Sequence, residues 1–192
     1  DIQWEVSEQT DIGVDFGLLN GALTGTIDYF NKKSTNILLQ VTPADPVQPS
    51  SEVWTNVKDM AITNKGIEFD LNYRKSINKH LSFAVGGNIT FIDNNIKNSP
   101  YTIIPSGSAQ GSGLTSATLN GYINGQPIGT FYLLQYTGIG PDSLSAYLDA
   151  DKNGTISNDK DRLPSGTALP NRLYSFYGNL NFKGFDLAVN FN

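Results

Sequence analysis

The stretch Thr10-DIGVDFGLLNGALTGTIDY-Phe30 decides the fold. Before the LNG, Ile12, Val14, Phe16 and Leu18 fall on one face, and Asp11, Gly13, Asp15 and Gly17 on the other. After it, Leu23, Ile27 and Tyr29 alternate with Thr24, Thr26 and Asp28. A period of two is the strand period, because successive side chains point to opposite sides of a pleated backbone. Asn20-Gly21 supplies the positive φ angles of a tight hairpin turn. The open question is what covers so regular an apolar face: a core, a second sheet or lipid.

The same beat recurs downstream. In KGIEFDLNYRK, Ile67, Phe69, Leu71 and Tyr73 oppose Glu68, Asp70, Asn72 and Arg74. A polar turn, Ser76 to His80, leads into LSFAVGGNITF, where Leu81, Phe83, Val85, Ile89 and Phe91 share a face. The last hairpin sets Tyr174, Phe176, Leu180 and Phe182 against Ser175, Tyr177, Asn179 and Asn181. It turns at Lys183-Gly184 and continues with Phe185, Leu187, Val189 and Phe191. The pattern predicts strands at about 8–18, 22–34, 62–75, 81–92, 173–182 and 185–192.

Connections within hairpins are short, whereas those between hairpins, about 35–61 and 93–172, are long and leave from the same end. Short turns on one side and long loops on the other are the habit of outer-membrane barrels. The composition agrees. Only 16% of the 192 residues are charged and 19 are glycine, against roughly 25% charged in soluble domains. No apolar run is long enough for a membrane helix, which leaves the strand route open. Carboxylates on the second face suit a water-filled lumen and would be costly in a dry core. Aromatic residues near strand ends suit the headgroup level. The expected fold is therefore all-β: antiparallel hairpins forming part of a large transmembrane β-barrel with long extracellular loops. The alternative is a soluble secreted β-sandwich that binds carbohydrate with calcium assistance, since one buried face gives the same alternation.

Other chemistry is sparse. The net charge of -5, without a dense basic cluster, argues against a nucleic-acid partner. No cysteine is present for disulfides or thiolate metal sites. No catalytic residues are assigned: the single histidine, His80, sits in a turn, and neither G-x-S-x-G nor H-E-x-x-H occurs. The glycine-rich GSAQGSG (residues 107–113) reads as a loop tip. DADKNGTISNDKD has the ligand spacing of the first half of an EF-hand-type loop. Asp149, Asp151 and Asn153 stand at positions one, three and five, Gly154 makes the turn, and Thr155 offers a carbonyl. Position twelve is Lys160, flanked by Asp159 and Asp161, which could substitute only with altered geometry. The stretch predicts at most a weak Ca2+ site. Trp54, in a proline-containing connection, is a candidate substrate or lid contact, and Trp4 a candidate interfacial anchor.

Several segments carry a family likeness: W-E, then I-G-x-D-F-G and D-Y-F-N-K-K near the start; N-K-G-I-E; and P-x-x-x-Y-S-F-Y through F-K-G-F-D-L at the end. Their order resembles the later barrel region of SusC/RagA-type TonB-dependent outer-membrane transporters of Bacteroidota. The resemblance implies a plugged barrel of about 22 strands, of which this chain would supply about a quarter. The plug, the energy-coupling box and the signal peptide are expected outside it. It further implies outer-membrane lipid around the barrel, a SusD-like lipoprotein over the outer loops, and TonB acting through the plug. An oligosaccharide or peptide would be the ligand.

Overall fold

The computed structural model describes residues 2–41, 52–108, 118–158 and 160–192. In chain order the strands are β1 (Val6–Leu18), β2 (Leu23–Thr35), β3 (Leu38–Val41), β4 (Val53–Asn56), β5 (Ala61–Asn78), β6 (Leu81–Lys97) and β7 (Ile104–Ser108). Then follow β8 (Thr118–Tyr122), β9 (Thr130–Leu134), β10 (Tyr136–Ile139), β11 (Ser145–Tyr147), β12 (Arg162–Thr167), β13 (Arg172–Phe182) and β14 (Phe185–Phe191). The chain divides into two compact units: Ser7–Ser34, Thr63–Asn94 and Pro170–Asn192 form one; Asp1–Val6, Thr35–Ile62 and Asn95–Leu169 form the other.

The first of these is a six-stranded sheet in the order β1-β2-β5-β6-β13-β14. All six strands expected from period two are present. Its tight turns follow the local chemistry. Leu19, Asn20 and Gly21 all take positive φ (53°, 56° and 81°), and the Ala22 amide donates to the Leu19 carbonyl. Lys183 and Gly184 repeat the device at φ 48° and 85°. The β5–β6 turn is tighter than the expected Ser76–His80. Ser76, Ile77 and Asn78 stay in the ladder, leaving Lys79-His80 as a two-residue connection. The polarity of Ser76 and Asn78 does not end the strand, because an antiparallel ladder is held by backbone groups. The β13–β6 register is unbroken from Arg172↔Phe91 to Phe182↔Leu81.

The stretches 35–61 and 93–172, expected as long outer loops, carry short strands of their own, most of them in the second unit. That unit contains the β3–β4 hairpin, the β10–β11 pair and a four-stranded sheet in the order β12-β9-β8-β7. These strands are three to six residues long, too short for alternation to stand out from chance. The unit packs a true core of Ile37, Val41, Val57, Met60, Ile62, Ile96 and Ile104, with Tyr122 and Ile128 against it. Side-chain amides tie residues 3–5 to this unit. Asn56 Nδ2 donates to the carbonyls of Gln3 (2.9 Å) and Asn36 (2.8 Å), and Asn36 Nδ2 donates to that of Trp4 (2.8 Å). The Glu5 carboxylate accepts the Leu38 amide at 2.8 Å.

Candidate functional site

The six-stranded sheet is a wall with two chemically different faces. On one, the expected residues meet across strands in polar contacts. Thr26 Oγ1 donates to Asp15 (2.8 Å), Thr90 Oγ1 to Glu68 (3.4 Å), and Asn181 Nδ2 to Asp186. Asn72 Nδ2 donates to the Tyr177 hydroxyl at 2.6 Å. That last bond spans three strands, because Tyr177 lies over Gly86, its partner in the register. A Cβ on Gly86 would fall 2.5 Å from the phenol ring and 2.8 Å from the Leu71 carbonyl oxygen. Glycine here is a seat for an aromatic ring.

The other face is apolar and bare. Ile12, Val14, Leu18, Ile27, Phe69, Leu71, Phe176, Leu187 and Phe191 are all exposed, with Tyr174 at 71% and Phe185 at 79%. Tyr73 and Phe83 form a tilted ring pair, centroids 5.9 Å apart, within it. No second layer covers these side chains among the described residues, whereas a sandwich would bury this face.

The bare face also has an edge. On β5 the apolar beat Ile67, Phe69, Leu71, Tyr73 is bracketed by Lys65 and Lys75. At ~3.3 Å per residue this is ~33 Å of strand, and a tilt of ~40° projects it to ~25 Å, the height of a barrel's lipid-facing band. Lys65 pairs with Asp93 across to β6 at 3.2 Å. On β13 the same role falls to Arg172, which lies opposite Phe91. Sequence reading missed this charged row, although a charge on the apolar parity at one level of several strands was the available signal.

A sheet of this kind, apolar outside and polar inside, is a segment of a membrane-spanning β-barrel. The comparisons with known proteins give the same class and a family. The TonB dependent receptor-like β-barrel model matches residues 1–192, and the chain belongs to that family. It is 28% identical to TonB-dependent receptor P3 of Formosa agariphila over 99% of this chain and 20% of the relative. It is 26% identical to TonB-dependent receptor SusC of Bacteroides thetaiotaomicron over 97% of this chain and 19% of the relative. Among solved structures, the RagAB peptide importer in its open-open state superposes with a TM-score of 0.73 at 18% identity, over 99% of this chain and 20% of that one. The chain thus spans about a fifth of the length of these relatives. The SusC/RagA-type likeness read from the motifs is borne out, and the family places the wall in the bacterial outer membrane.

The acidic loop lies in the second unit. Asp149, Asp151 and Asp161 each bring a carboxylate oxygen within 4.8 Å of the others. Backbone amides draw them in. Asp149 accepts from Asn153 (3.2 Å) and Gly154 (2.7 Å), and Asp161 from Ala150 (2.8 Å) and Ser157 (2.7 Å). Asp161 is buried. The Ser157 amide foremost holds its carboxyl below the ordinary value; burial opposes this, and the Ala150 and Asp151 amides and Ser157 hydroxyl assist. Asn153 serves the turn: its Nδ2 donates to Asp151 (2.8 Å) and its Oδ1 accepts the Thr155 amide (2.8 Å). Lys160, at the position where an EF-hand has glutamate, lies 4.0 Å from Asp151. Asp159 and most of 107–113 lie outside the described residues. Trp54 sits on β4 at 58% exposure, paired with Gln40, and Trp4 is exposed at 92%.

Proposed function

We propose that this chain forms part of the wall and outer loops of an energy-coupled importer that carries oligosaccharides or peptides across the outer membrane. The observation that carries the reading is the two-faced sheet, one face apolar and bare and the other bearing carboxylates, in a chain whose whole length matches the receptor barrel family. The importer works with a SusD-like lipoprotein seated on its outer loops, and TonB drives it through a plug carried elsewhere in the polypeptide. The likeness to SusC and to the RagAB peptide importer supports this pairing of partner and cargo. Deleting the full-length gene and measuring growth on oligosaccharides and on peptides as sole nutrient tests it. A defect on one class is expected; unchanged growth on both overturns the reading.

Within the outer loops, Asp149, Asp151, Asn153, Thr155, Asp159 and Asp161 form a weak calcium site in this reading, and Trp54 contacts substrate or lid. The convergence of three carboxylates supports the first, and the exposure of the indole the second. Lys160 beside Asp151 argues for low affinity. Calorimetric titration of the full-length receptor with calcium should give heat that Asp149→Ala/Asp151→Ala abolishes; a flat trace for both removes the metal.

A further inference from the structure

The charged row above the apolar band does more than mark its edge. Where β2, β5, β6 and β13 pass this level, the bare face holds a shallow, open groove of ≈ 490 Å3. Its lining includes Tyr29, Ile67 and Phe91 below, with Lys65, Asp93 and Arg172 above. Lys65 is held by Asp93 at 3.2 Å, with both side chains more than half exposed. The Arg172 guanidinium has no ion-pair or hydrogen-bond partner among the described residues. The groove therefore offers two cations against one carboxylate, directly over aromatic and aliphatic surface. Lys33, on β2 at the same parity as Tyr29 and farther along, extends the cationic row.

Position decides what can enter. The four strands are interior to the sheet, so their neighbours on both sides are already in place. In a closed barrel further strands would join at β1 and β14, which leaves this groove facing outward. It lies at the ends from which the long connections leave, the outer leaflet side. A guanidinium with free N–H groups matches a phosphate's oxygens in a fork. Rings and aliphatic side chains beneath it match acyl chains. We propose that this groove binds the phosphate headgroup of an outer-leaflet lipid, with phosphate on Arg172 and Lys65 and acyl chain along Phe91, Ile67 and Tyr29. The proposal rests on the lipid-facing reading of the bare face.

Native mass spectrometry of the full-length receptor from detergent tests it, with phosphatidic acid, phosphatidylcholine and inorganic phosphate as probes. The wild-type protein is expected to retain phosphatidic acid over phosphatidylcholine. Arg172→Gln should cut that preference about fivefold, the worth of one cation near a lipid surface. Lys183→Gln, at the opposite end of the strands, should leave it unchanged. Preference that survives Arg172→Gln, or none in the wild type while phosphatidylcholine is still carried, overturns the groove alone. Absence of any carried lipid faults the face assignment itself. Displacement of phosphatidic acid by an equal concentration of inorganic phosphate marks a free-phosphate site and overturns the lipid.

Discussion

The two units of this chain are stabilised by opposite solvents. Every buried hydrophobic side chain among the described residues, from Ile37 to Ile123, belongs to the unit of short strands. Met60 and Ile96 there are 1% and 0% exposed, as in any water-soluble core. The six-stranded sheet has no such core. Most of its large apolar side chains stand bare on one face, and its acids and amides cross-link on the other. The first arrangement is driven by removing apolar surface from water. The second is stable only where hydrocarbon meets the bare face, so that the backbone ladder and the strand-to-strand contacts are what it must supply itself. The same residue type thus means different things in the two places. Isoleucine in the first unit is packing, and in the second it is a lipid contact.

Truncation should expose this contrast most strongly. Ile96→Ala in the full-length receptor leaves a cavity among close-packed neighbours and should cost ~2–5 kcal/mol. Leu71→Ala on the bare face should cost well under this, since lipid fills the gap. Thermal unfolding of the two variants in the same detergent checks the difference, and equal losses would break the comparison. Charge gives the converse. Leu71→Arg, midway along the apolar band, should cost ~2–4 kcal/mol in a bilayer. Asn179→Arg, on the polar face of β13, should cost little, as judged by folding into lipid vesicles.

The polar face is sharpened by the Tyr177 seat. Gly86→Ala forces the phenol and the Leu71 carbonyl apart, a misfit of ~1–3 kcal/mol for overfilling a packed site. Tyr177→Phe keeps the ring and loses only the bond from Asn72, ~0.5–1.5 kcal/mol. A larger loss for Tyr177→Phe than for Gly86→Ala would show that the hydrogen bond, not the ring's fit, holds the three strands.

The smallest effect belongs to the acidic loop. The Asp161 carboxyl is lowered from 3.8 in the folded chain, so its contribution is complete above about pH 4 and is lost as pH falls through the lowered value. Amide-exchange protection at Ala150 and Ser157, corrected for intrinsic rates, should hold from neutral pH to about 4 and decline below it. In Asp161→Asn it should be weak throughout and lack that step.

Much of the wall was legible in the residues. Strict alternation placed all six long strands, because a strand with two different solvents on its faces must repeat every second residue. Asn20-Gly21 and Gly184 placed two turns, because positive φ favours glycine and asparagine. The acidic loop was legible in part. The spacing of Asp149 and Asp151 was readable, but that Asp161 folds back to them depends on amides of Ala150 and Ser157 that no spacing announces.

What the sequence determined by itself, then, was the long strands, their two faces and the family likeness, since these rest on local periodicity and on runs of neighbouring residues. The tertiary structure alone decided the fold of 35–61 and 95–169, the seat of Tyr177 on Gly86 and the groove under Arg172. Each of those depends on residues far apart in the chain meeting across strands, and strands of three to six residues carry too few alternations to declare themselves.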